Sequence, residues 1–205
     1  MDNSDRKPKI GVLVSGRGSN LQALIDNLAD LAVDISIVIT DKPESLALKR
    51  AAKAGIPTVV VEAKSSSKTE FEQAILTTLQ QSGVELVVLA GFMRLLSAEF
   101  LAQSPGPVLN IHPALLPAFP GLHAQAQALA YGVKVSGCTV HFVDAGMDSG
   151  PIIAQRTVPV LDADDEASLS ARILAEEHVL LPEVVRLWAT GRVIVTNKRV
   201  HIKGD

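Results

Sequence analysis

Runs of Val, Ile and Leu recur along the first half of the chain, at residues 9–15, 34–40, 57–61, 85–90 and 108–111. None alternates with polar positions. That is the pattern of strands buried on both faces, and hence of a parallel sheet with helices on each side. Between the runs the apolar spacing turns helical. One helix is predicted over 21–28 and a second over 44–54, ending at Gly55. A third is announced by Ser67-x-x-Glu70, a capping-box pattern, and ends near Gly83. Strand–helix alternation of this kind predicts an α/β chain with a doubly wound, mostly parallel sheet. The second half reads differently. A helix over 124–131 is followed by strand-like segments at 134–143 and 152–160, most simply an antiparallel hairpin added to the sheet. Residues 166–190 form a long C-terminal helix expected to kink or break at Pro182, and the chain from Arg192 reads as a short edge strand.

Composition narrows the class. With 205 residues, 47% hydrophobic and 20% charged, the chain suits one large domain with a packed core and is not disordered. A net charge of −3 without a basic block removes a nucleic-acid or membrane-surface footprint, so the expected partners are small molecules. The single Cys138 excludes an internal disulfide, fits a reducing, cytoplasmic compartment and reads as a buried inert thiol. Residues 1–9 are polar with no secretory signal, and no apolar run approaches the ~18 residues of a membrane span.

The candidate chemistry gathers after strands. Asn110 and His112 are two residues apart at the end of the fifth run, so their side chains face one side. Pro113, Pro117, Pro120 and Gly121 then stiffen the following loop. The alternative is a strand end with one solvated histidine. Gly16-Arg17-Gly18-Ser19-Asn20 follows the first run and opens a helix, either as a phosphate seat or as a tight, capped turn. Read as a dinucleotide fingerprint it lacks its third glycine, yet Asp41 stands near the spacing of a ribose-binding acid, which keeps a nicotinamide cofactor in play. Lys68 either adds a point charge to that phosphate or is solvated. Asp148, flanked by Gly146 and Gly150, is either a turn former or a carboxylate that reaches His112 and orients its ring. His141 faces the same space or is a satisfied strand histidine. Glu177 sits within the apolar stripe Leu169, Ile173, Leu180, Leu181, Val184 and Trp188, beside a polar cavity or snorkelling at its edge. The five histidines show no metal-binding spacing, so no metal is expected.

Asn110-x-His112-Pro113, then Leu115-Leu116-Pro117, with Asp148-x-Gly150 36 residues beyond His112, resembles the folate-dependent formyltransferase signature. Gly16 to Leu21, Ala90-Gly91-Phe92-Met93-Arg94 and Phe119-Pro120-Gly121 narrow the resemblance to the phosphoribosylglycinamide branch, over residues 9–192. It implies a formyltransferase-like fold over 1–205, with a polar extension 1–8, a nucleotide-binding half 9–112 and a folate-binding half 113–205. It also implies formyl transfer from formyl-tetrahydrofolate, as cosubstrate, to the amine of glycinamide ribonucleotide in purine synthesis. By the same resemblance Asn110, His112 and Asp148 are catalytic. Gly18, Ser19, Asn20, Lys68 and Glu177 hold the ribonucleotide, and Met93, Arg94, Leu95, Leu96, Val143 and Asp144 hold the folate. Ala114, Ala118, Lys68 and Ser149 depart from the common pattern. Two relatives of this core, methionyl-tRNA formyltransferase and the folate deformylase, add a further domain and fit the expected extent less well. A nicotinamide oxidoreductase and a nucleotide-binding regulatory module are the rivals, and the second has no use for Asn110, His112 and Asp148 together.

Overall fold

The computed structural model describes residues 7–28, 33–63 and 67–204, so most of the expected polar extension 1–8 lies outside the described residues. The elements run β1 (Lys9–Val14), α1 (Ser19–Leu28), β2 (Asp34–Thr40), α2 (Leu46–Lys53), β3 (Thr58–Val60), α3 (Lys68–Gln81), β4 (Leu86–Leu89), α4 (Ala98–Gln103) and β5 (Val108–His112). They continue as α5 (Ala124–Tyr131), β6 (Val135–Phe142), β7 (Ile152–Pro159), α6 (Glu166–Ala189), β8 (Val193–Thr196) and β9 (Arg199–Ile202). Seven strands form one sheet in the order β3-β2-β1-β4-β5-β6-β7, while β8 and β9 pair separately. The chain divides into two compact units, Met1–Leu109 and Asn110–Asp205.

In the first unit β1 is the central strand, parallel to β2 on one side and β4 on the other. Ile10, Val12 and Leu13 of β1 are fully buried, as are Leu21 and Leu24 of α1 and Ile75 and Leu79 of α3. This is the two-sided burial that the unbroken apolar runs require. β3 departs from it. It pairs only with β2 in the strand order, and Thr58 and Val60, two apart and so on one face, are both exposed. The sequence gives no notice of α4, which is too short for helical periodicity. Its start is fixed by Ser97, whose Oγ accepts from the Phe100 N–H at 3.1 Å. The Ser97 N–H in turn donates to the buried Glu72 carboxylate at 2.8 Å, which ties α4 to α3.

In the second unit β6 and β7 make the predicted antiparallel hairpin, with an irregularity at Val140/His141. Pro182 does not break the long helix and lies inside a single continuous α6. Proline removes one backbone donor and crowds the preceding turn. Here Leu180, Leu181, Val184 and Val185 around it are all buried, so packing of that face keeps the helix in one piece. Trp188, expected in the stripe, is only half-buried. The tail is not an edge strand of the main sheet. Asn197 takes a left-handed backbone at φ 57° and reverses the chain into the separate β8–β9 hairpin. Cys138 is buried, and burial with the nearby Glu177 charge pushes its thiol pKa up to about 12, so the group is inert at neutral pH. No helix among the described residues is long and apolar enough to cross a membrane.

One buried hydroxyl organises the loop that follows β5. Thr139 Oγ1 accepts from the Leu116 N–H at 3.1 Å and from Gln155 Nε2 at 2.9 Å, and it donates to the Ala114 carbonyl at 2.7 Å. Gln155 Nε2 also reaches the Leu116 carbonyl at 2.9 Å. A proline-rich loop has few backbone donors, so a side-chain hub supplies what regular pairing cannot. The shape-preserving Thr139→Val change therefore leaves the buried Leu116 donor and Ala114 acceptor without their partner. Denaturant unfolding is expected to show a loss of about 1–3 kcal/mol; unchanged stability would remove Thr139 as the hub.

Candidate active site

In the second unit β5 ends on Asn110 and His112, whose period-two spacing turns both to one side. His112 is 4% exposed. Its Nε2 lies 2.8 Å from the Phe119 carbonyl, which can only accept, so Nε2–H donates. Its Nδ1 lies 3.4 Å from Asp148 Oδ2. Asp148 occupies a left-handed backbone at φ 49°, a region that aspartate tolerates better than most residues. The Gly121 N–H donates to its Oδ2 at 2.7 Å and pins it there. Gly150, two residues on, leaves room for this turn: a Cβ there would fall 1.8 Å from the Phe142 carbonyl oxygen. A second imidazole closes the group, with His141 Nε2 3.6 Å from Asp148 Oδ1 and 3.3 Å from Asn110 Nδ2.

Burial pushes the Asp148 carboxyl up, but the neighbouring His141 side chain, the Gly121 N–H and the His112 side chain together outweigh it. The carboxyl ends below the usual carboxylate range. An ionised carboxylate between two imidazoles can orient a ring and help pass protons, and the amide alongside can donate to a developing oxyanion.

The remaining predicted site residues fall as follows. Gly18 has φ +68°, and a Cβ on it would lie 2.7 Å from Ala47 Cβ, so the turn after β1 is pressed onto α2 and only glycine fits. Ser19 and Asn20 open α1, with Asn20 buried. Ser15 ties this turn to the stretch after β4, since its N–H donates to the Gly91 carbonyl and its Oγ accepts from the Met93 N–H, at 3.1 and 3.0 Å. Met93 and Leu95 are exposed whereas Leu96 is buried. Arg94 donates from Nε to Asp41 Oδ2 at 2.7 Å and stacks over the Phe71 ring at 5.2 Å. Asp41, weighed as a ribose-binding acid, is buried and pairs with Arg94 through Oδ2. Lys68 is largely exposed and lies 3.8 Å from Glu72.

In the second unit Val143 and Asp144 begin the loop after β6 and are half-buried. Asp144 Oδ1 accepts from the Gly146 N–H at 3.1 Å and from Ser149 Oγ at 2.7 Å. The Ser149 departure thus adds a tie inside the loop that carries Asp148. Glu177 is buried on α6 among the apolar stripe.

This chain matches the family model described as formyl transferase over residues 8–185. The chain belongs to the formyl transferase family. It is 47% identical over 192 residues to a Mycobacterium tuberculosis protein named phosphoribosylglycinamide formyltransferase, covering 93% of this chain and 89% of that one. It is 48% identical over 198 residues to the trifunctional purine biosynthetic protein adenosine-3 of Drosophila melanogaster, covering 94% of this chain but 15% of that protein. Among solved structures it superposes on glycinamide ribonucleotide transformylase 1 of Symbiobacterium toebii with TM-score 0.93 and 49% identity, covering 96% of this chain and 94% of that one.

In this formyl transferase the geometry brings Asn110, His112, His141 and Asp148 into one cluster. Two members of the cluster escape a reading of side chains: the Phe119 carbonyl and the Gly121 N–H. Both belong to a stretch whose backbone, with Phe119 at φ 54°, departs from anything residue spacing reveals. The lowered Asp148 pKa makes a pH prediction. Stabilisation by the ionised carboxylate is fully present above the ordinary value near 3.9 and is lost as pH falls through the lower native value. The melting-temperature gap between the wild type and Asp148→Asn is therefore expected to shrink from about pH 6 to about pH 3. A gap that stays constant or widens would contradict the ionised pairing.

Proposed function

We propose that the protein transfers a formyl group from formyl-tetrahydrofolate to the amine of glycinamide ribonucleotide, a cytoplasmic step of purine synthesis. The observation that carries this reading is the 3.4 Å approach of Asp148 to His112, with Asn110 two residues before it on the same strand. The amine lone pair attacks the formyl carbon, and the carbonyl oxygen becomes an oxyanion. As that tetrahedral species collapses, the bond from carbon to the folate nitrogen breaks. That nitrogen gains a proton and the attacking amine loses one. His112 Nε2–H is committed to the Phe119 carbonyl at 2.8 Å, so the longer Nδ1 contact is the one whose proton an oxyanion can share. Asn110 supplies an amide donor to the same oxygen. Asp148 holds His112 and helps organise a water that shuttles the proton. A well-placed oxyanion donor is worth roughly 3 kcal/mol of barrier.

The other roles complete the proposal. Gly18, Ser19 and Asn20 receive the ribonucleotide phosphate with Lys68 as a point charge, and Glu177 takes the glycinamide end. Met93 to Leu96, with Val143 and Asp144, hold the folate. Residues 9–112 serve as the nucleotide-binding half and 113–205 as the folate-binding and C-terminal half. No metal takes part in this scheme.

Mixing the purified protein with both substrates and following the folate absorbance tests the reaction. Turnover is expected, and its absence with folded protein would overturn the reading. His112→Ala is expected to lower kcat by about 10²-fold or more with the fold retained, and near-normal turnover would remove His112 from the mechanism. Glu177→Gln is expected to raise KM for the ribonucleotide about tenfold while the folate KM moves little. Equal loss for both substrates would count against that assignment.

A further inference from the structure

The two imidazoles beside Asp148 are wired differently, and the difference assigns them different work. His141 Nδ1 lies 2.8 Å from the Phe142 carbonyl, an acceptor only, so Nδ1 carries the proton. His141 is 2% exposed, and the Asn110 amide lies within hydrogen-bond distance of its Nε2. Its Nε2 is then a lone pair, and the nearest group able to donate to it is Asn110 Nδ2 at 3.3 Å. Asp148 Oδ1 lies farther off at 3.6 Å and can only accept. His112 is the opposite case. Its Nε2–H is spent on Phe119, and its Nδ1 faces the carboxylate at 3.4 Å.

Resting on the proposed formyl transfer, we propose that His141 is a positioning residue for Asn110. As a neutral Nδ1–H imidazole it accepts one N–H of the Asn110 amide through Nε2. That bond sets which way the amide faces. An amide turned by 180° keeps nearly the same shape, so its orientation depends on the partner that reads donor from acceptor. With one amide hydrogen held by His141, the second is left to donate to the oxygen of a bound formyl group. The irregularity at Val140/His141 in the β6–β7 pairing places this ring out of the regular strand register.

Nitrogen-15 spectra of histidine-labelled wild-type protein at about pH 7.5 test the wiring directly. The expected pattern is a neutral Nδ1–H tautomer for His141; an Nε2–H tautomer or an imidazolium there overturns the proposal. This readout needs no turnover, so a wild type without formyl transfer would sink the functional reading and leave the tautomer question answered. Kinetics supply the second arm. His141→Phe keeps a ring of similar size but removes the acceptor, and is expected to lower kcat about 10- to 100-fold with both KM values within about threefold. His141→Gln, whose Oε1 can accept, is expected to recover a substantial part of that loss. Equal losses in folded Phe and Gln variants, or a loss carried by KM, would overturn the positioning role.

Discussion

A carboxylate held in a left-handed turn and pinned by one backbone N–H governs the second unit. The Gly121 N–H on Asp148 Oδ2, at 2.7 Å, joins the loop after β5 to the loop between β6 and β7. Without it, a half-buried acid would sit between two histidines with nothing to fix which oxygen faces which ring. Burial alone would raise the carboxyl pKa and favour its neutral form. The surrounding donors reverse that tendency, and the charge that results is what the rings respond to. The strained backbone at Asp148 is thus matched by specific bonds at the same place.

Support for this arrangement reaches back into the packing. Thr139 and Gln155 rise from β6 and β7 and hold the proline-rich loop by the Ala114 and Leu116 carbonyls and the Leu116 N–H. α6 packs across the same two strands, with Leu169, Ile173 and Leu181 fully buried. A rigid hairpin therefore carries the hub, the second imidazole and the carboxylate together. Rigid elements hold reacting groups to within the small tolerances that such chemistry needs.

Much of this is visible in the residues. Unbroken Val and Ile runs announce the central strands, and the spacing of Asn110 and His112 announces their shared side. The elements that escape are those decided by neighbours in space. β3 resembles the other strands in sequence yet is exposed at the edge, and α6 passes through Pro182 because the packed residues around it outweigh one missing donor. The C-terminal residues look like one more strand, but Asn197 in a left-handed turn folds them on themselves. In the site, residue types mark the acid and the rings, while the Phe119 carbonyl and the Gly121 N–H carry no side-chain signal. Asp41 is another such case: its spacing suggests a ligand, and the pairing of its Oδ2 with Arg94 carries no spacing signal.

The account turns on the charge that Asp148 places beside His112. Single-turnover formyl transfer by Asp148→Asn, compared with the wild type under saturating substrates, measures that charge most directly, since the amide keeps the shape and removes the negative charge. A fall of about 10²-fold or more in the chemical step, with ribonucleotide binding preserved, is the predicted result. A variant that transfers formyl at the wild-type rate would contradict it.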